Sequence, residues 1–137
     1  MSNSQSFREH IDLGYSYKGD YLTLGAAMLD GETLTILSSV TSGLYLQGFN
    51  FNTFNIEKDD SRQSGSFRWK DASKFIDISN KGLVENGLRL RFLNYFFLKN
   101  GDIGILTEKY KINLNSKVVT TDYVFFMFNK RFELVNA

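Results

Sequence analysis

LRLRFLNYFFLKNGDIGILTEKYK, residues 88–111, reads as two β-strands joined by a tight turn at Asn100-Gly101. Both central positions of a type I′ turn need positive φ, and Asn followed by Gly tolerates it best. A two-residue loop predicts a register in which Lys99 faces Asp102, Leu98 faces Ile103, Phe96 faces Ile105 and Asn94 faces Thr107. On the other face Phe97 lies over Gly104, Tyr95 meets Leu106, and Arg91 sits diagonal to Glu108. One face is apolar near the turn, and the other carries aromatic and charged pairs, the usual units of sheet stabilisation. A hairpin this hydrophobic needs a second layer to pack against.

Composition agrees with strands. Aromatics make up 15% of the 137 residues, with 13 Phe and 7 Tyr, and there is no Pro. That mix favours an all-β chain. The length suits one domain with a real core, 1–137, or a segment of a larger repeat protein. The formal net charge is +1, so there is no surplus of Lys and Arg to neutralise phosphates, which argues against nucleic acid as a principal partner. The absence of Cys excludes disulfides, thiolate metal sites and a Cys nucleophile. The N-terminus, MSNSQSFREH, lacks the apolar stretch of a signal peptide, and no run approaches the length of a transmembrane helix. A transmembrane β-barrel stays open, because its alternation signal is weak per strand.

Outward from the central hairpin, Leu13 to Tyr17 and Tyr21 to Met28 read as strands around Lys18-Gly19. Asp30-Gly31 reads as a hairpin turn of the same type as Asn100-Gly101. Ser42-Gly43 makes a further turn before a strand from Leu44 to Phe51. Glu57 to Ser66 is the most hydrophilic run and reads as an exposed loop, with Phe67 to Trp69 a short strand after it. Ala72, Phe75, Ile76 and Ser79 follow helical spacing after Asp71 as N-cap, which predicts one short helix near 72–79. Val118 to Phe128 is a long β-branched and aromatic strand. Asn129-Lys130-Arg131 turns it, and Phe132 to Val135 begins another.

No constellation names a reaction. His10, the sole histidine, has no nucleophile elbow beside it, and one His without Cys leaves no ordinary zinc site. Asp59-Asp60 lacks the alternating acids, central Gly and terminal Glu of a calcium loop. No Gly-rich phosphate loop occurs. Phe67, Arg68, Trp69 and Lys70 form the one aromatic-basic cluster, a type that stacks on sugars or bases and serves as core edge and solvated rim in the plainer reading.

The chain also repeats itself. LDGETLTILSS with LYLQGFNFNTFNI answers LKNGDIGILTEK with YVFFMFNKRFEL. Each unit is a strand, a tight Gly turn, a strand, a loop and a long aromatic strand, the kind of antiparallel unit from which propeller blades are made. Over residues 88–137, the positions Asn100, Gly101, Glu108, Tyr110, Asp122, Tyr123 and Asn129 resemble a recurring block in uncharacterised β-rich, propeller-like proteins of Bacteroidota. The chain departs from that block in lacking a second Gly after Gly101 and in carrying Arg131-Phe132 where the block's turn often has Gly. The resemblance implies a fold and a cell-envelope or periplasmic location, and no activity; a native N-terminus would instead imply the cytoplasm.

The sequence therefore predicts an all-β protein of antiparallel hairpins: propeller-like blades, or a compact barrel or sandwich. The function it suggests is a non-catalytic binding or scaffold module without cofactor, acting on another protein chain or in a homo-oligomer. The alternative is a carrier whose aromatic-lined cavity holds a small apolar ligand. The long strand Val118 to Phe128 should not be left as an open edge. Either Leu13 to Tyr17 closes against the C-terminal end, or another chain pairs with it.

Overall fold

Two antiparallel sheets make up the computed structural model, which describes residues 16–17, 20–58, 60–112, 115–116 and 118–137. The first sheet is a meander of β1 (Ser16–Tyr17), β2 (Asp20–Asp30), β3 (Thr33–Ser42), β4 (Tyr45–Asn55) and β5 (Asp60–Arg68). A one-turn helix, α1 (Trp69–Ala72), and a 3₁₀ turn (Glu85–Gly87) lead to the second sheet. That sheet is a meander of β6 (Arg89–Phe97), β7 (Ile103–Ile112), β8 (Val118–Phe128) and β9 (Leu134–Asn136).

Side chains alternate across a strand, so each sheet has one face to bury. In the first sheet Ala26, Leu37, Phe49, Phe51 and Phe67 point toward the second, which answers with Leu90, Ile103, Ile105, Val124, Phe126 and Phe128. Rings join the layers: Phe51 lies 4.9 Å from Phe128, and Phe67 lies 5.1 Å from Phe128 and 5.5 Å from Phe126. Of the architectures expected, this is the sandwich. The internal repeat is present as topology, since β2–β5 and β6–β9 are both four-strand meanders. The way the halves meet differs from a propeller. Leu37 and Thr107 hold the same place in the repeat, and both point between the sheets. Equivalent faces therefore meet, a pseudo-twofold arrangement, whereas blades in a ring bury opposite faces on successive neighbours.

The turns correct the predicted register. Gly101 takes φ +89 while Asn100 does not enter the positive region. The Gly101 N–H donates to the Leu98 carbonyl at 3.0 Å, and the Leu98 N–H donates to the Asp102 carbonyl at 2.9 Å. This is a three-residue loop, Lys99-Asn100-Gly101, with its last residue left-handed, as in hairpins built from a type I turn and a bulge. Phe97 consequently pairs with Ile103, Phe96 with Gly104 and Tyr95 with Ile105. A bulge between Phe92 and Asn94 then brings Arg91 directly opposite Glu108. Asn100 caps the loop with its side chain, its Oδ1 accepting the Asp102 N–H at 3.0 Å. The same loop recurs at Lys130-Arg131-Phe132, where Phe132 itself takes φ +61. Its ring, stacked 4.9 Å from Phe51, holds it there. At the first hairpin the loop is Gly31-Glu32 rather than Asp30-Gly31, for Asp30 pairs with Thr33 and only Gly31 has positive φ. That is the pattern of a type II′ turn.

Gly101→Val is expected to cost about 1–3 kcal/mol, the strain of a branched residue at positive φ. Asn100→Ala should cost about 1 kcal/mol through loss of its cap to Asp102. Urea midpoints identical to wild type for Gly101→Val would contradict the turn described.

Two other expectations change. The hydrophilic run after Glu57 is not a loop: β4 continues to Asn55, and β5 runs from Asp60 through Arg68. On this edge strand Ser64 and Ser66 pair with Asn52 and Asn50, while Gly65 lies opposite Phe51. A Cβ at Gly65 would stand 3.0 Å from Phe132, so the absence of a side chain makes room for that ring. The helix begins and ends earlier than 72–79. Asp71 lies inside it and accepts the Arg68 N–H at 2.9 Å, and the chain only bends through Phe75. His10, Asp59 and Leu13 to Tyr15 lie outside the described residues.

Candidate interaction surface

The aromatic-basic cluster is divided by strand alternation. Phe67 and Trp69 are core residues, and the Trp69 Nε1–H donates to the Leu46 carbonyl at 2.8 Å. Neither ring is available to a ligand, which corrects the stacking surface expected there. Arg68 lies half-buried on the far side, its Nη1 donating to the carbonyls of Phe67 (2.9 Å) and Phe49 (3.3 Å) and to Asn50 Oδ1 (3.1 Å). It ties β4 to β5. Lys70 is exposed on α1. Gly31, Asn100 and Gly101 lie in hairpin loops, while Asp30 is the last residue of β2, paired with Thr33.

The residues that stand together on an open surface are elsewhere, on the outer face of the second sheet. Cross-strand rows place Phe96, Gly104 and Met127 side by side, then Asn94, Leu106 and Phe125, then Arg91, Glu108 and Tyr123. Phe96 is 41% exposed, Phe125 39% and Tyr123 57%. Gly104 lets the Phe125 ring lie across the strand, since a Cβ there would come within 2.3 Å of Cζ. The Phe96 and Phe125 rings meet over it with centroids 5.9 Å apart. Exposed apolar groups in one contiguous patch are the informative kind, unlike scattered single ones.

The first sheet treats its matching face differently. Ile36, which corresponds to Leu106 in the repeat, is 1% exposed, and Ser38 and Val40 beside it are at 0%. Leu34 and Phe54 pack with Ile36, and Leu22 and Ile56 border them. The outer face of the first sheet is thus closed along β3, although Leu24 and Leu29 of β2, opposite Ser38 and Leu34, are 46% and 58% exposed.

Toward the other end of the second sheet the surface becomes charged. Glu108 binds Arg91, and Lys109 bridges Glu85 at 2.6 Å and Asp122 at 3.7 Å. The hydrogen bond from Lys109 holds the Glu85 carboxyl below the usual carboxylate range, and the same bond raises the Lys109 ammonium. Arg89 stacks on the Tyr45 ring at 3.7 Å from its centroid, and Arg91 lies 5.3 Å over Tyr110.

The edge of β8 is partly guarded. Among the described residues, β9 pairs only with Met127 and Phe128, so Val118 to Phe126 has a strand on one side alone. The register shifts between Lys109 and Tyr110, and the Asp122 side chain accepts the Tyr123 N–H at 2.8 Å. A bulge and an edge carboxylate are common protections against strand addition. The described part of the N-terminal strand, Ser16–Tyr17, pairs with β2 and does not close against β8.

Among the described residues no cluster of three or more His, Cys, Asp or Glu could hold a metal ion. No helix among them is long and apolar enough to cross a membrane. Comparison with protein-family models, with curated proteins and with solved structures found no match. Sequence reasoning missed the outer-face patch because its register set Phe96 opposite Ile105, whereas it pairs with Gly104.

Proposed function

We propose that this protein is a non-catalytic binding module that takes another protein chain on the outer face of β6, β7 and β8. The observation that carries this reading is the Phe96–Phe125 pair, exposed over Gly104 with Leu106, Met127 and Tyr123 around it. Aromatic and Met side chains are enriched at the centres of protein interfaces, with a polar rim outside. Here Arg91, Glu108 and Asn94 stand at that rim. The carrier alternative has less support, because the rings that would line a cavity pack on one another. Phe92 lies 6.2 Å from Phe49 and 6.3 Å from Tyr95, and Tyr95 lies 5.5 Å from Phe97. The guarded edge of β8 favours docking on the face over strand addition.

A photo-crosslinking amino acid at position 125, compared with one at the exposed turn residue Leu44, tests the reading. Adducts with a protein chain at 125 alone, reproduced with that chain purified and abolished by Phe96→Ser, are the expected result. Absence of adducts at 125, or equal adducts at 44, would overturn it.

A further inference from the structure

At the charged end of the same face a pocket of about 240 Å³ is lined by Tyr45, Gly87, Arg89, Tyr110, Lys111 and Ile112. Its lining carries two cations and no acid. The nearest acids are occupied, Glu85 by Lys109 and Glu108 by Arg91. Among the described residues neither Arg89 nor Lys111 makes an ion pair. Arg89 is held in place from two directions: its guanidinium lies over the Tyr45 ring, and its Nη1 donates to the Lys81 carbonyl at 3.2 Å. A planar guanidinium fixed in this way has lost its rotamer freedom before any ligand arrives, and its fork geometry matches a carboxylate. The volume falls below the roughly 300–1,000 Å³ of pockets that hold a whole small molecule. It suits a single side chain.

Arg89 and Tyr110 continue the rows of the outer face beyond Arg91 and Glu108, and Tyr45 of the first sheet closes the pocket beside them. Along β6 from Arg89 to Phe96 the separation is about 20 Å at the usual rise of a strand, the span of about six extended residues. Resting on the proposal that this face binds protein, we infer that its partner is an extended polypeptide segment with a carboxylate side chain at one end and bulky apolar side chains at the other. The carboxylate sits between Tyr45, Arg89 and Lys111. The apolar side chains cover Phe96, Leu106, Phe125 and Met127. The charge gradient along the face sets the direction in which the segment lies, because reversal would place its acid over the aromatic rings.

A random twelve-residue peptide library displayed on phage and selected on the folded protein provides the test. Enriched sequences should carry Asp or Glu about six residues from two or more large apolar residues. For a synthetic peptide so found, Arg89→Glu should weaken binding at least tenfold, as should replacement of the peptide's acid by its amide. Lys111→Glu, at an exposed position, gives the same reading if Arg89→Glu proves unstable in thermal melts. Enriched peptides without an acid, or binding indifferent to both charge reversals, would overturn this inference and leave the protein-binding reading standing. Failure to enrich any peptide, or peptides insensitive to Phe96→Ser and Phe125→Ser, would overturn both.

Discussion

Trp69→Ala is expected to destabilise the protein by about 3–5 kcal/mol, the usual loss when a large buried aromatic side chain is truncated. Trp69 is 1% exposed, with Phe67 at 5.8 Å, Phe126 at 6.0 Å and Phe49 at 6.4 Å between ring centroids. It therefore touches both sheets at once. It also fixes the connection between them: a Cβ at Gly82 would stand 2.4 Å from its Nε1, so the segment before the 3₁₀ turn closes directly onto the indole. Trp69→Phe restores much of the bulk and removes the hydrogen bond to the Leu46 carbonyl, leaving a buried acceptor unpaired at a cost of about 1–3 kcal/mol. Urea denaturation followed by circular dichroism measures both variants, since Trp69 is the only tryptophan and its fluorescence is lost with it. A loss below about 1 kcal/mol for Trp69→Ala, far under the range for buried aromatics, would mean that the indole does not join the layers.

Gly48→Ala is the second large effect. Gly48 pairs with Arg68 beside the irregularity at Val40, and its φ is +155. A Cβ there would stand 1.9 Å from the Phe67 carbonyl oxygen and 2.9 Å from its carbon. Both are backbone atoms of the paired strand, so no rotamer change relieves the clash and β4 and β5 must separate locally. The expected loss is about 3 kcal/mol or more, at the upper end of overpacking effects. Gly104→Ala is an instructive contrast. Its Cβ would meet the far end of the Phe125 ring, which can swing outward, so stability should fall much less while the ring leaves its place over the strand. Equal denaturation midpoints for Gly48→Ala and wild type would contradict the close approach of the two strands.

The repeat, the strand-rich composition and the approximate strand positions were all readable in the chain. Val118 to Phe128 matches β8 at both ends. The register was not. Asn100-Gly101 suits a two-residue loop, and the chain uses three residues, closed by Gly101 and capped by Asn100. One residue of slip exchanges the faces of a strand. Phe96 thereby pairs with Gly104 on the open surface and not with the core residue Ile105, and the interaction patch went unseen for the same reason. Nor could composition reveal β5, because an edge strand with one face toward solvent looks like a polar loop. What identifies it is cross-strand pairing with Asn50 and Asn52, which local sequence does not encode. Phe67 to Trp69 was already readable as a short strand, but which of its faces is covered was not. Pairing of Phe67 with Phe49 sends Phe67 inward and Arg68 outward.

Phe49, Phe51, Phe67, Phe126 and Phe128 belong to a core shared by the two sheets, while Phe96, Tyr123 and Phe125 stand open on the outer face of the second. Hydroxyl-radical footprinting of the monomer at low concentration, read out residue by residue by mass spectrometry, tests this division most directly. Phe96, Tyr123 and Phe125 should be modified readily, while Phe49, Phe51, Phe67, Phe126 and Phe128 stay protected until the protein unfolds. Protection of Phe96 and Phe125 in the monomer, or ready modification of Phe51 and Phe126, would contradict the arrangement of the two sheets and the surface built on it.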